Sequence, residues 1–210
     1  MIAVVDYGSG NLQSVLNACE AVGSEAVRTD KAEDIRKADG IILPGVGAFG
    51  DGMRNLREKG LIDVLTEEVM GKKKPYLGIC LGLQFLAERG LEHGEHEGFG
   101  WIKGTVELMK PKGNGFKVPH MGWNSMKIHK SSPIFNGLQE SPVFYFVHSY
   151  HFVPDASESE VIIGTAEYGM EVTAAVQKGN LFGVQFHPEK SQAAGLMILK
   201  NFFVLVQSHA

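Results

Sequence analysis

Across residues 1–90, apolar runs of strand length alternate with stretches whose apolar residues recur every three or four positions, the pattern of a parallel sheet wrapped by helices. Residues 1–5 open it as a buried strand. After the turn-rich DYGSGN at 6–11, Leu12, Val15, Leu16, Cys19 and Val22 fall at helical spacing, which turns Cys19 toward the sheet as a packing residue. A strand at 26–28, a helix with Asp30 as its N-cap and a strand at 40–43 that stops at Pro44 continue the alternation. Met53, Leu56, Leu61, Val64, Leu65 and Val69 predict one interrupted helix or two short ones. A basic turn at 72–74, a strand at 75–79 and a helix carrying Leu83, Phe85 and Leu86 come next. The pattern loosens over 90–115, where 105–108 is the one convincing strand. Strands then follow at 125–128, 143–147, 161–165, 173–177 and 181–185, and a closing helix places Leu196, Leu199, Phe203 and Val206 on one stripe. No repeat, low-complexity tract or linker marks a boundary, so a single α/β domain over 1–210 is expected.

Composition narrows the function classes. With 44% hydrophobic and 21% charged residues, a chain of 210 can bury a sizeable core. Twenty basic residues against 24 acidic ones leave a net charge of -4, which argues against the broad positive field that nucleic acid or anionic lipid binding needs. No apolar run approaches the roughly 20 residues of a membrane-spanning helix. Asp6 interrupts the apolar start and no basic residue precedes Arg28, so a secretory signal is not expected and the cytoplasm is. Two cysteines make no disulfide framework and must be judged singly.

PYLGICLGLQ at 75–84 sets Cys80 between Gly78 and Gly82, after a buried strand and before a helix. Such a G-x-C-x-G elbow projects a nucleophile above the sheet, and its glycines remove Cβ atoms where the backbone doubles back. The following helix favours a thiolate through its free N–H groups and dipole, and the Leu81 N–H points toward an oxyanion formed near the sulfur. Most free cysteines are small buried hydrophobes, which suffices for Cys19. For Cys80 the glycines and topology favour catalysis.

GVQFHPEKS at 183–191 places His187 and Glu189 two apart on an extended segment, so the carboxylate can hold one ring nitrogen while the other faces a sulfur. Alone, His-Pro-Glu reads as a strand-end histidine beside a surface acid; with the elbow it reads as base and orienter. His93 and His96 in LEHGEHEG have metal-like spacing, but three glycines deny them a rigid helix and no third ligand stands nearby, so a solvated loop and no metal are expected. His120 in KVPHMGWN and His148 in YFVHSYH stay open between core, substrate contact and interface.

LPGVGAFG matches the dinucleotide pattern G-x-G-x-x-G at Gly45, Gly47 and Gly50. The strand before it is the third rather than the first, Pro44 closes that strand, and the acids at 63–68 lie in a helical pattern, all of which oppose a dinucleotide site. The same loop can instead bring backbone N–H groups to a substrate carbonyl, and glycines on both sides of Val46 leave its peptide free to turn. Another hydrolase on a similar fold, such as a cysteine peptidase, and a non-catalytic nucleotide-binding module are the rival readings.

Together PGVGAFG, PYLGICLGLQ and GVQFHPEKS resemble the class I glutamine amidotransferases over nearly the whole chain. DYGSGNL, KVPHMGWN and YFVHSYH resemble, within that family, the glutaminase subunits of imidazole glycerol phosphate synthases in histidine biosynthesis. The resemblance implies a flavodoxin-like, doubly wound, mostly parallel sheet with an additional antiparallel strand region. It implies a Cys80–His187–Glu189 triad that hydrolyses L-glutamine through a cysteinyl thioester. It also implies an oxyanion region at Leu81, Val46 and Gly47, and glutamine contacts at Gly45, Gln84, Glu92, Ser149 and Tyr150. Asn11, Trp123, Asn124 and Lys190 match positions facing a separate β/α-barrel cyclase subunit, which consumes the ammonia in a heterodimer. No cofactor is implied.

Overall fold

The computed structural model describes residues 1–209. In chain order the elements are β1 (Ile2–Val5), α1 (Leu12–Ala21), β2 (Ala26–Thr29), α2 (Ala32–Lys37), β3 (Gly40–Gly45), α3 (Phe49–Glu58), α4 (Leu61–Thr66), β4 (Tyr76–Cys80) and α5 (Leu81–Gln84). Then follow β5 (Arg89–Gly90), β6 (His96–Glu97), β7 (Gly104–Leu108), β8 (His120–Ile128), β9 (Val143–His148), β10 (Tyr150–Pro154), β11 (Ile162–Glu167), β12 (Glu171–Lys178), β13 (Leu181–Val184) and α6 (Gln192–His209).

Among the described residues the main sheet has nine strands in the order β2-β1-β3-β4-β13-β12-β11-β8-β9. Its first five pair in parallel with the 2-1-3-4-5 order of flavodoxin-like sheets, and the remainder extend it antiparallel. A smaller sheet, β10-β7-β5-β6, lies beside it.

The parallel strands are buried on both faces because alternate residues serve two cores. Val4, Ile42, Leu77 and Ile79 meet Val15 and Cys19 of α1 and Ile198 and Phe202 of α6. Val5, Ile41, Leu43 and Tyr76 meet Ile35 of α2, Met53 and Leu56 of α3 and Leu65 of α4. Cys19 is thus the packing residue that its spacing predicts.

Four local expectations change. Strand β3 runs through Pro44 to Gly45. Ile41 N–H donates toward β4, so by alternation Pro44 presents its missing N–H to β1, whose pairing with β3 already ends at Ile42. Asp30 does not cap α2: its carboxylate accepts from Lys59, and Thr29 Oγ1 takes the Lys31 N–H instead. The helix after the elbow is one turn, because the carbonyls of Phe85, Leu86 and Ala87 accept from Phe99, Ile102 and Gly100 rather than from a further turn. Strand β8 begins at His120, and β10 was not anticipated.

Candidate active site

The site forms at the carboxyl ends of β3, β4 and β13, where open α/β sheets bind ligands. Cys80 ends β4 with φ +54° and ψ -105°, a left-handed backbone that side chains rarely adopt and that a functional elbow retains. Its glycines are needed for space: a Cβ on Gly78 would overlap the carbonyl of Gly82, and one on Gly82 would overlap the carbonyl of Leu43. Gly45 stands in register opposite Cys80, so the PGVG loop leaves β3 beside the nucleophile.

His187 follows β13 and is 2% exposed. Its Nδ1 lies 2.8 Å from Glu189 Oε1, which assigns the Nδ1 proton to that bond and turns Nε2 toward Cys80. Burial opposes a charged ring, but interaction with Cys80 and with Glu189 outweighs it and holds the His187 pKa up, to about 10. Nε2 itself closes no hydrogen bond at rest, the loose geometry usual before substrate arrives. The loop is fixed from behind, because Ser191 Oγ donates to the His187 carbonyl at 2.6 Å and the His187 N–H donates to Tyr145 O of β9 at 2.9 Å.

A cavity of about 440 Å³ opens over the sulfur, lined by Val46, Gly47, Ala48, Cys80, Leu81, Gln84, Glu92, Val147, His148, Ser149 and Tyr150. The predicted contacts Gln84, Glu92, Ser149 and Tyr150 and the oxyanion candidates Leu81, Val46 and Gly47 therefore share one space. Gly45 lies beneath the wall, where a Cβ would overlap the Tyr7 hydroxyl. Glu92 reaches back to accept the N–H of Phe49 at 2.8 Å, tying the start of α3 to the cavity rim. Gly47 takes φ +96°, while Ser9 Oγ donates to the Val46 carbonyl at 2.5 Å, so the peptide expected to turn freely is tied.

Sequence reasoning missed Gln185. It is fully buried, accepts from Gln84 Nε2 at 3.1 Å and donates to Cys80 Sγ at 3.6 Å. Its place two residues before His187, just past the end of β13, was the available signal.

The remaining predicted positions gather on the β8–β9 flank or near it. Trp123 is 49% exposed and meets Tyr145 edge-on across the strand pair, and Lys190 Nζ lies 5.9 Å above the same ring. Asn124 is half-buried and donates to Glu167 O, whereas Asn11 is exposed at the start of α1 with no capping bond. His96 sits in β6 with its ring against Gly50, and His93 is exposed in a turn at φ +57°.

Comparison with known proteins identifies the family. The family model described as "Glutamine amidotransferase class-I" matches residues 3–206. A Pseudomonas aeruginosa protein named "Imidazole glycerol phosphate synthase subunit HisH 2" is 49% identical over 206 residues, covering 98% of this chain and all of that one. A Moorella thermoacetica subunit HisH is 48% identical, covering 98% and 95%. Among solved structures, one titled "Crystal structure of glutamine amidotransferase" shares the fold at a TM-score of 0.74 and 20% identity, covering 99% and 100% of the two chains. The chain belongs to the class I glutamine amidotransferases and, among them, to the HisH subunits of imidazole glycerol phosphate synthase.

Proposed function

We propose that this chain hydrolyses L-glutamine to L-glutamate and ammonia at Cys80 and delivers the ammonia to a β/α-barrel cyclase subunit that makes imidazole glycerol phosphate and aminoimidazole carboxamide ribotide. The observation that carries the reading is the Cys80–His187–Glu189 constellation opening on a cavity that also holds Gln84, Glu92, Ser149 and Tyr150. The Cys80 thiol passes its proton to His187 Nε2 as the sulfur attacks the side-chain carbonyl carbon of glutamine, forming a C–S bond, while the carbonyl electrons move to oxygen. The Leu81 N–H and the Gly45–Gly47 backbone stabilise that charge. The tetrahedral centre collapses, the C–N bond breaks, and His187 gives its Nε2 proton to the departing nitrogen. Water then attacks the thioester carbonyl and gives its proton to His187, and as the C–S bond breaks that proton passes to the sulfur, so glutamate leaves with the thiol restored. Glu189 holds the ring in one tautomer throughout.

Ammonia released into water at neutral pH is protonated and loses its nucleophilicity, which favours direct passage to a docked second subunit. Asn11, Trp123, Asn124 and Lys190 supply the candidate docking face. No helix among the described residues is long and apolar enough to cross a membrane; we place the chain, acting as one domain, in the cytoplasm.

The test is glutamate release by the purified chain, alone and with the cyclase and that subunit's nucleotide ligand, with Cys80→Ala as control. Slow release alone, a strong increase with both additions and loss in the control support the reading. Peptide cleavage without glutamine hydrolysis would support a peptidase instead. Equal rates with and without the cyclase at saturating glutamine would remove the partner dependence.

A further inference from the structure

Two buried histidines that the triad does not use, His120 and His148, join the glutamine cavity to strand β8 through hydrogen bonds whose directions can all be assigned. His148 Nδ1 lies 2.9 Å from Tyr150 O. A carbonyl only accepts, so Nδ1 carries the proton and the neutral ring leaves Nε2 bare. That bare nitrogen lies 3.0 Å from His120 Nδ1, which must then be protonated, leaving His120 Nε2 as an acceptor. Asn124 Nδ2 faces it at 3.3 Å and also donates to Glu167 O at 2.9 Å, which fixes the amide as donor.

The same logic continues past Tyr150. Its carbonyl accepts a second bond, from Gln84 Nε2 at 2.9 Å, and Gln84 sends its other hydrogen to Gln185 Oε1. Gln185 must therefore point its own amide nitrogen at the Cys80 sulfur, as it does at 3.6 Å. Three carbonyl or amide acceptors thus determine every proton between Asn124 and Cys80, and no group in the chain can reverse without leaving a buried partner unpaired.

The surroundings suit neutral rings. His120, His148, Gln84 and Gln185 are all more than nine-tenths buried. His120 is stacked between Phe146 and Tyr168, with centroids at 4.7 and 4.0 Å. Burial pushes the pKa of His120 down to about 4. In His148 burial outweighs the helpful Tyr150 carbonyl, giving about 3. A second proton on His148 would set two N–H groups against one another across 3.0 Å, and one on His120 would face the donating Asn124 amide across 3.3 Å.

We infer that His120 and His148, as an oriented pair of neutral Nδ1–H imidazoles, are positioning residues that hold the Tyr150 carbonyl and Gln84 in their glutamine-binding arrangement and tie it to Asn124 on β8. The inference rests on the glutamine-hydrolysing reading of the cavity. Neither ring hydrogen-bonds to Cys80 or His187; both act through Tyr150 and Gln84.

Long-range proton–nitrogen spectra of the full chain labelled with 15N-histidine test the pairing directly, with His120→Phe and His148→Phe to assign signals. Both rings should show the Nδ1–H tautomer and stay neutral down to pH 5.5. An Nε2–H tautomer in either ring, or titration near 6.5, overturns the inference even if every variant fails to fold. In glutamate-release assays of the full chain with its cyclase, His148→Leu should raise KM for glutamine about tenfold while kcat changes less. His148→Asn, which keeps a donor at the Nδ1 position, should restore most of it. Asn124→Ala should raise KM less, and adding it to His148→Leu should have no further effect, since both act through one chain. An unchanged KM in His148→Leu, or full additivity with Asn124→Ala, overturns the inference. Absence of glutamate release by the wild-type chain under every condition would instead strike the functional reading, and the spectra would still decide the pairing.

Discussion

Ser9 and Val46 lie 37 positions apart, yet the Ser9 hydroxyl donates to the Val46 carbonyl at 2.5 Å and joins the loop after β1 to the loop after β3. A trans peptide is planar, so fixing that carbonyl toward Ser9 turns the Gly47 N–H the opposite way. The strand order β1-β3-β4 puts Ser9 and Cys80 on opposite flanks of β3, so the N–H is aimed toward the nucleophile's flank.

Removing the hydroxyl should therefore loosen an oxyanion donor without touching the glutamine contacts. For Ser9→Ala we expect kcat to fall about tenfold, less than the roughly 10²-fold or more that loss of a whole donor costs, with KM little changed. Steady-state glutamate release in the presence of the cyclase measures it. A rise in kcat would show that Ser9 instead holds the loop in an unproductive orientation.

The elbow makes a second prediction. Gly82 has no room for a methyl group, because the carbonyl of Leu43 occupies its Cβ position, and backbone of a central strand cannot step aside as a flexible side chain would. Gly82→Ala should cost more than the about 1–3 kcal/mol typical of overpacking and should lower activity beyond that loss by displacing Cys80. Urea unfolding together with kcat on the folded fraction checks both. Gly60→Ala is the control: its φ of +66° is also left-handed, but nothing lies within 4 Å of its Cβ and it is far from the site, so stability alone should drop.

How much of this the sequence carried depends on how local each feature is. Cys80 was legible because its strand, its two glycines and its turn occupy one short stretch, and His187 with Glu189 because only two positions separate them, although the backbone between them is a 3-10 turn over Pro188–Lys190 rather than the extended segment expected. Ser9, Gln185 and the His120–His148 pair act across 28 to 105 positions, through contacts that exist only once β1 stands beside β3, β13 beside β4 and β9 beside β8. Pro44 misled for a related reason: whether a missing N–H ends a strand depends on which neighbour it would have faced, and β1 had already ended there. The helix after Cys80 looked long because Leu83, Phe85 and Leu86 are all buried. They are buried by tertiary packing, while the carbonyls a longer helix would need are taken by residues 99–102.

The two thiols should react differently. Cys19 is 1% exposed within the α1–α6 core, and burial pushes its thiol up to about 12, so it offers almost no thiolate at neutral pH. Cys80 opens on the cavity. A glutamine-like chloroketone at pH 7.5 should add one equivalent, at Cys80, and excess glutamine should slow it. Mass spectrometry of the digested protein decides the matter, and modification of Cys19 in the folded chain would contradict the placement of α1.

Stability should fall on both sides of neutrality, for opposite reasons. His120, His148 and His151 are buried as neutral rings with pKa values of about 4, 3 and 4, against 6.5 when unfolded. As pH drops below 6.5 the unfolded chain binds protons that the folded chain refuses, so stability declines, by about 1.4 kcal/mol per pH unit at most for each ring. His187 runs the other way. Its folded pKa, near 10, lies above the unfolded one, so it stabilises the fold below 6.5 and that contribution is lost as pH climbs through about 10. Urea midpoints measured from pH 5 to 9.5 should therefore trace a dome. Between pH 5 and 6.5 ordinary carboxylates remain ionised in both states, so the histidines govern the acid limb. His151, whose Nδ1 has no partner and which stands outside the Asn124–Cys80 chain, separates the terms: His151→Leu should make the acid limb shallower and leave the alkaline limb unchanged. An acid limb of unchanged slope in that variant would mean that His151 is not a buried neutral ring.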